Sequence, residues 1–142
     1  RDADEAVVML RELRGREHRV VTGVALVDAA SGQEVQGHRS SRVVMREYTD
    51  EEIAGYVASG DPLDKAGAYA VQHQAFQPVA ELRGCYLNVV GLPLCTLLKE
   101  ADRFGLRLKP KPRLPWPELA HCPECAKRAG LPVDKARRGR GG

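Results

Sequence analysis

The sequence has 142 residues, 43% hydrophobic and 29% charged, a balance that suits one ordinary domain and excludes disorder throughout. Its net charge of +3 conceals a division, because residues 103–142 hold eleven Lys and Arg against three Asp and Glu. Residues 1–102 hold the other eleven Lys and Arg against sixteen Asp and Glu, so they are acidic. This distribution excludes a uniformly basic nucleic-acid-binding domain. No apolar run approaches the roughly 20 residues of a membrane span, and no signal peptide opens the sequence. We therefore expect a cytoplasmic protein without a membrane partner.

The first predicted elements are a helix and two strands. Apolar residues at helical spacing predict a helix that ends at Gly15; they are Ala6, Met9, Leu10 and Leu13. The β-branched run Arg19–Val27 predicts a strand that is buried on both faces. Ser31 and Gly32 supply a turn, after which Val35–Met45 is expected to pair antiparallel with that strand.

A capping box marks the next helix, with Thr49 at the N-cap and Glu52 three residues later. Its apolar stripe is expected to comprise Ile53, Tyr56 and Val57. Gly60 should end this helix, and residues 65–76 have no clear period, which indicates a loop or short elements.

The second half of the body predicts strands and then a helix. Residues 79–90 indicate one or two strands around Gly84, and Pro93 suits the first turn of a last helix. The apolar stripe of that helix is expected to comprise Leu94, Leu97, Leu98 and Ala101. Together the elements predict an α/β fold with a mixed sheet and flanking helices.

Two stretches carry groups that could bind a ligand. Lys65 offers a compact cation for phosphate oxygens or a base carbonyl, and Gln72 both donates and accepts hydrogen bonds. The alternative is structural: Lys65 pairs with Asp61 or Asp64, and Gln72 faces solvent. Gly23, which follows Thr22, weakens a strand unless a neighbour or ligand comes close, so the pair is a candidate for ligand binding. The structural alternative is that Gly23 is a packing glycine or forms a bulge.

Three blocks in residues 1–104 resemble the Maf family of nucleoside triphosphate pyrophosphatases. The first block is Gly15–Val24, which includes Thr22 and Gly23. The most specific block is Gly60–Gln72, which reads Gly-Asp-Pro-Leu-Asp-Lys-Ala-Gly-Ala-Tyr-Ala-Val-Gln. The third comprises Gly84 and then Asn88–Pro93. The resemblance makes residues 1–104 the C-terminal two-thirds of a Maf-like domain.

The resemblance implies a fold, a reaction and a site. The fold is that of the inosine triphosphatases (Maf/Ham1), and the reaction converts a nucleoside triphosphate into the monophosphate and pyrophosphate with Mg or Mn. With Lys65 and Gln72 the sequence resembles the branch that acts on dTTP and UTP. The branch that acts on 7-methyl-GTP has Cys and Glu at these two positions. The implied catalytic residues are Lys65 and Gln72, and the implied substrate-binding residues are Thr22, Gly23, Asp64, Lys65 and Gln72. A house-cleaning role in nucleotide metabolism and a homodimer are implied too.

Several family motifs should lie ahead of Arg1. They are Ser-x-Arg-Arg, an early Glu, a Lys and the Asp-Thr-Val with the catalytic aspartate. Because the sequence starts at Arg1 and its first methionine is Met9, we expect its beginning to be missing and this chain alone to turn over little substrate. The alternative is a non-catalytic Maf-like remnant that acts as a regulatory or interaction protein.

Residues 105–142 are expected to be an irregular, basic, proline-rich tail. Cys122 and Cys125 form a CxxC, to which His121 could add a third zinc ligand. We favour free thiols in a reducing cytoplasm, because the second CxxC of a closed zinc site is absent. Cys85 and Cys95 are interpreted as small core residues. The arginines of residues 137–140 are interpreted as solvated, and a zinc or nucleic-acid adaptor is the third alternative.

Overall fold

The computed structural model describes residues 2–108, 122–129 and 132. They form two compact units, one from the described residues up to 19 and those in 42–82, and the other from the described residues in 20–41 and after 82. The architecture is α/β, with a three-stranded antiparallel sheet in place of the predicted mixed one. No helix in this part of the chain combines the length and apolar composition that a membrane span requires.

Helix α1 spans Ala3–Leu13, as predicted. The Asp2 carboxylate caps it by accepting a hydrogen bond from the Glu5 backbone N–H at 2.9 Å. Ala6 and Leu10 are its fully buried residues, so the helical spacing in the sequence located the buried face.

Strands β1 (Glu17–Val27) and β2 (Glu34–Met45) are the two long strands. The turn between them is closed by a 2.9 Å hydrogen bond from the Asp28 N–H to the Gln33 carbonyl. The prediction that β1 is buried on both faces is wrong for the described structure. Half-buried and exposed residues alternate along it, and the side chains of Val21 and Val27 are 53% and 60% exposed. Short β-branched runs occur in both settings, which is why composition did not distinguish them.

Helix α2 spans Asp50–Ala58 and begins at the predicted capping box. Thr49 Oγ1 accepts from the Glu52 N–H, and the Glu52 carboxylate accepts from the Thr49 N–H at 2.7 Å. Glu52 also pairs with Arg46 at 2.8 Å. Arg46 in turn donates to the carbonyl oxygens of Phe76 and Gln77, at 2.8 and 3.2 Å. The start of α2 and the loop ahead of the third strand are thus held by one arginine.

The segment after α2 consists of short 3-10 turns, at Asp61–Asp64 and Ala66–Ala68, as the aperiodic sequence indicated. Gly67 has a φ of +72° and Ala68 a φ of +58°, so two successive residues adopt the left-handed region. Only glycine enters this region without strain, and Ala68 is held there while completely buried.

The prediction of strands throughout residues 79–90 is wrong in its second half. Strand β3 covers Val79–Arg83, and helix α3 follows at Tyr86–Val90. Gly84, with a φ of +127°, separates the two elements. The buried Asn88 in α3 donates through Nδ2 to the carbonyl of Val20 (3.1 Å) and to Ser41 Oγ (2.8 Å). These non-local bonds have no signature in the local sequence.

Helix α4 spans Leu94–Arg103, as Pro93 predicted, but its buried face differs from the expected leucine stripe. Leu94, Leu97 and Leu98 are half-buried, and only Ala101 of the predicted stripe is fully buried. The buried residues are Cys95, Thr96, Glu100 and Ala101.

Helix α5 spans Pro123–Ala129 and corrects the expectation of an irregular tail for those residues. Cys125 and Ala126 in this helix are buried, and so is Cys122, which directly precedes it. His121, the proline-rich link of residues 110–117 and the arginines of residues 137–140 lie outside the described residues.

Candidate functional site

Lys65 is held by the acidic turn that precedes it. Its Nζ donates to the Asp61 carbonyl oxygen at 2.6 Å and to the carboxylates of Asp61 and Asp64 at 3.1 and 2.9 Å. The hydrogen bond to Asp64, and then the one to Asp61, raise the pKa of Lys65, so the ammonium is charged at neutral pH. These contacts are those of the structural alternative considered for Lys65 from sequence.

Tyr56 fixes this turn from the side of helix α2. The Tyr56 hydroxyl donates to Asp61 Oδ2 at 2.6 Å and accepts the backbone N–H of Ala70 at 3.0 Å. Burial, and then the hydrogen bond to Asp61, raise the pKa of Tyr56. The hydroxyl in turn lowers the pKa of Asp61, with Lys65 contributing further. A chain of hydrogen bonds therefore runs from Ala70 through Tyr56 and Asp61 to Lys65.

Gln72 lies beyond this network, at an exposed turn. Its side chain hydrogen-bonds to none of the residues described, whereas Tyr69 and Ala70 before it are buried. The structure therefore brings Asp64 and Lys65 into contact, and it leaves the Gln72 amide open to solvent. A role of Lys65 and Gln72 in catalysis or substrate binding stays a prediction.

Thr22 and Gly23 lie on β1 in the second unit. Thr22 Oγ1 donates to the Asn88 carbonyl at 3.0 Å, so this hydroxyl is engaged in holding strand β1 to α3. A Cβ added at Gly23 would meet nothing within 4 Å. Gly23 borders a surface hollow of about 640 Å³, whose lining residues are Gly23, Val24, Ala25, Gln36, Gly37 and His38. A role of Thr22 and Gly23 in substrate binding also stays a prediction.

Four cysteines meet in the second unit, and sequence reasoning missed two of them. The Sγ atoms of Cys85, Cys95, Cys122 and Cys125 all lie within 4.8 Å of one another, and all four residues are buried. Cys85 and Cys95 are core residues, as expected, but they also face the CxxC. The even number of cysteines was a signal that could have suggested this grouping. Hydrogen bonds from Cys125, Cys85 and Cys95 lower the pKa of Cys122.

Comparison with known protein families matches residues 1–104 to the family described as Maf-like protein. The matched segment includes the Lys65 turn, Gln72, Thr22 and Gly23. This chain therefore belongs to the Maf-like family, and the resemblance carried by the three sequence blocks is confirmed.

Curated relatives named dTTP/UTP pyrophosphatase are similar to most of the chain. The protein of Pelotomaculum thermopropionicum is 49% identical over 104 residues, which cover 73% of this chain and 54% of the relative. The protein of Syntrophotalea carbinolica is 46% identical over 105 residues, covering 74% of this chain and 48% of the relative. The chain thus spans about half the length of the curated relatives it matches.

Proposed function

We propose that this chain is part of a nucleoside triphosphate pyrophosphatase that converts dTTP or UTP into the monophosphate and pyrophosphate. The observation that carries the proposal is the segment from Asp64 to Gln72, which lies within the family match and has the Lys and Gln of the pyrimidine branch. The names of the relatives support the same substrates. The proposal includes the inosine-triphosphatase-like fold that the resemblance implies.

Lys65 is available to an anionic substrate despite its ion pairs. The side chain of Asp64 is 84% exposed, and exposed ion pairs contribute only about 0–1 kcal/mol. A triphosphate carries several negative charges, so its oxygens can replace Asp64 as partners of the ammonium. Asp61, anchored by Tyr56, continues to orient Lys65 during that exchange.

Gln72 is suited to the base rather than to the phosphates. Its neutral amide offers both a donor and an acceptor, which matches the carbonyl and N–H edge of uracil or thymine. A carboxylate at this position would accept only, and would favour a cationic methylated guanine. The exposed amide can meet such an edge without first breaking a bond to another described residue.

Among the described residues, no group of three or more carboxylates or histidines is placed to hold the divalent cation that the family implies. Mg and Mn require oxygen ligands, and the cluster of at least three metal-binding side chains found among these residues consists of cysteines. We therefore assign no step of the reaction to a cation held by this part of the chain. A homodimer, a cytoplasmic location and a house-cleaning role complete the proposal and rest on the resemblance.

One observation favours the alternative of a Maf-like protein without catalysis. Lys65 already has two carboxylate partners, and so a purely structural role accounts for its contacts. In that case replacing Lys65 and Gln72 by Cys and Glu would change the stability of the protein and leave its nucleotide selectivity unaltered.

The test compares dTTP, UTP, GTP and 7-methyl-GTP. Calorimetry measures their binding to the 142-residue chain, and pyrophosphate release is measured on a chain extended by the family's N-terminal segment. We expect preference for dTTP and UTP, reduced at least tenfold in the double variant Lys65→Cys, Gln72→Glu. The control Arg107→Ser, Gln33→Glu changes the charge equally at two exposed positions and should keep the preference. Unaltered selectivity in the Lys65, Gln72 variant would contradict the proposal.

A further inference from the structure

We propose that Cys85, Cys95, Cys122 and Cys125 bind one zinc ion in a closed tetrathiolate site. This site fixes helix α5 to residues 85–95, which lie within the segment that matches the family. This proposal is independent of the proposed enzymatic function, because none of the four cysteines takes part in the nucleotide site considered above.

The distances between the sulfur atoms fit a metal site. Cys85 Sγ lies 3.5 Å from Cys125 Sγ and 3.9 Å from Cys95 Sγ. A tetrahedron with zinc–sulfur bonds of about 2.3 Å has sulfur–sulfur edges of about 3.8 Å. A disulfide needs about 2.05 Å, and all four cysteines are free. The observed spacing is therefore that of four ligands around one ion.

The four ligands come from three separate places in the fold. Cys85 precedes α3 and Cys95 lies in the first turn of α4, whereas Cys122 and Cys125 lie at the start of α5. All four side chains are at most 6% exposed. The site thus has four protein ligands and no open position toward solvent, which is the arrangement of a structural rather than a catalytic zinc.

Groups around the sulfurs are placed to stabilise negative charge. Arg39 Nη2 lies 3.5 Å from Cys122 Sγ and is oriented by a 2.7 Å ion pair with Glu124. Zinc with four thiolates has a net charge of −2, so an arginine beside a sulfur is the complement that such a centre needs.

A second positive contribution comes from the surface next to the site. Lys99 and Lys127 line a hollow of about 430 Å³ together with Cys95 and Glu124. Both lysines belong to the helices that carry ligands, α4 and α5. Of the charged side chains that line this hollow, two are cations and one, Glu124, is an anion paired with Arg39.

Four thiolates around one ion fit zinc and exclude the hard cations. Thiolates are soft ligands that bind zinc or iron and do not suit Mg or Mn. Sulfurs within 4.8 Å of one another surround a single ion rather than a cluster of several. Binding is not a redox step: each thiol loses one proton to solvent as its sulfur–zinc bond forms, and the oxidation states do not change.

This ligand set replaces the one considered from sequence. The absence of a second CxxC counted against a closed site there, yet Cys85 and Cys95 supply the two missing thiolates without that motif. His121, outside the described residues, is not required as a ligand. The two ligand sets make opposite predictions for His121 and for Cys85.

The first experiment measures metal in the purified 142-residue chain by mass spectrometry. We expect one zinc per chain, and after replacement by cobalt we expect the charge-transfer and d–d absorption of tetrahedral tetrathiolate cobalt. Cys85→Ser and Cys95→Ser should each lose stoichiometric metal, whereas His121→Ala should retain it. Metal-free protein, stoichiometric iron, or loss of zinc in His121→Ala but not in Cys85→Ser would overturn the proposal.

A second experiment does not depend on folding of the serine variants. Chelation of zinc from the unaltered chain should expose four reactive thiols and lower the thermal midpoint, and added zinc should reverse both effects. Arg39→Gln should weaken zinc binding about 10- to 100-fold, the range for residues that support metal ligands. The control Arg42→Gln removes an exposed arginine on the same strand and should bind zinc normally. Thiols that react fully before chelation, or equal affinities in the two arginine variants, would count against the site.

Discussion

The hydroxyl of Tyr56 lies 2.6 Å from Asp61 Oδ2, and this short hydrogen bond connects the core of helix α2 to the turn that carries Lys65. The same hydroxyl accepts the N–H of the buried Ala70, which follows the two residues with positive φ. One phenol oxygen therefore holds both ends of the segment from Asp61 to Ala70, which contains Lys65.

Replacing Tyr56 by Phe should destabilise the protein more than the same change at Tyr48. Tyr56→Phe leaves the Ala70 N–H buried without its acceptor and removes a donor from Asp61, an expected loss of about 2 kcal/mol. Among the described residues the Tyr48 hydroxyl donates only to the Leu10 carbonyl, which also accepts from the Arg14 N–H. Urea unfolding of both variants measures the difference. A larger loss in Tyr48→Phe would contradict this account of the network.

Gly84 and Gly91 form a matched pair for separating backbone strain from steric overlap. Their φ values are +127° and +128°, but a Cβ at Gly84 would lie 2.8 Å from Ser41 Oγ and 3.1 Å from its Cα. A Cβ at Gly91 would meet nothing within 4 Å. Gly84→Ala should therefore cost about 1–3 kcal/mol more than Gly91→Ala in denaturant unfolding, the usual cost of overpacking. Equal losses would show that Ser41 moves aside freely.

The buried amide of Asn88 should be required for stability. Asn88→Leu keeps the approximate volume but removes both hydrogen bonds from Nδ2, to Val20 and to Ser41, and leaves the Val20 carbonyl without that donor. We expect a loss of about 2 kcal/mol in unfolding free energy. Val90→Ala, at a side chain that is 47% exposed in the same helix, should cost much less. A neutral Asn88→Leu would mean that water replaces these bonds.

His18 should make stability depend on pH between neutral and mildly acidic conditions. Burial lowers the pKa of His18 below 6.5, and its Nδ1 is buried without a partner among the described residues. The unfolded chain therefore takes up the proton first as pH falls. The contribution of His18 is fully present above about pH 6.5 and is lost as pH drops toward its folded-state pKa.

Unfolding free energies measured from pH 7.5 to 5 test this prediction. His18→Gln should flatten the decline, whereas His38→Gln, at an exposed position of strand β2, should leave it in place. The opposite sign, with stability rising on acidification because of His18, would require a charged histidine in the folded state. The neighbouring Tyr69 hydroxyl, 2.9 Å from His18 Nε2, would then be its acceptor.

Features encoded within a few residues were predictable from the sequence. The capping box at Thr49 and the turn at Gly32 involve only near neighbours, and the structure contains both. The partners of Lys65 were also within reach, because Asp61 and Asp64 lie in the same turn. Local spacing and charge were sufficient in each case.

Features that depend on distant partners were missed. Residues 86–90 contain Val, Leu and Asn, which fit a strand or a short helix equally well, and the choice follows from the burial of Asn88 against Val20 and Ser41. Cys95 is buried in α4, whereas most of the predicted leucine stripe is not, and the reason is similar. The thiols of Cys122 and Cys125, from a later helix, lie next to Cys95. Helix periodicity describes one segment and carries no information about which segment will cover it.

The arrangement around Glu52 makes its carboxylate difficult to replace. Oε2 accepts the Thr49 N–H that would otherwise be unsatisfied at the start of α2, and Oε1 receives the guanidinium of Arg46. Glutamine could fulfil the first task but has no charge for the second, and aspartate is one methylene too short to span both. Replacement of this side chain, which is 39% exposed, should therefore cost more than replacement at a surface position that makes neither contact.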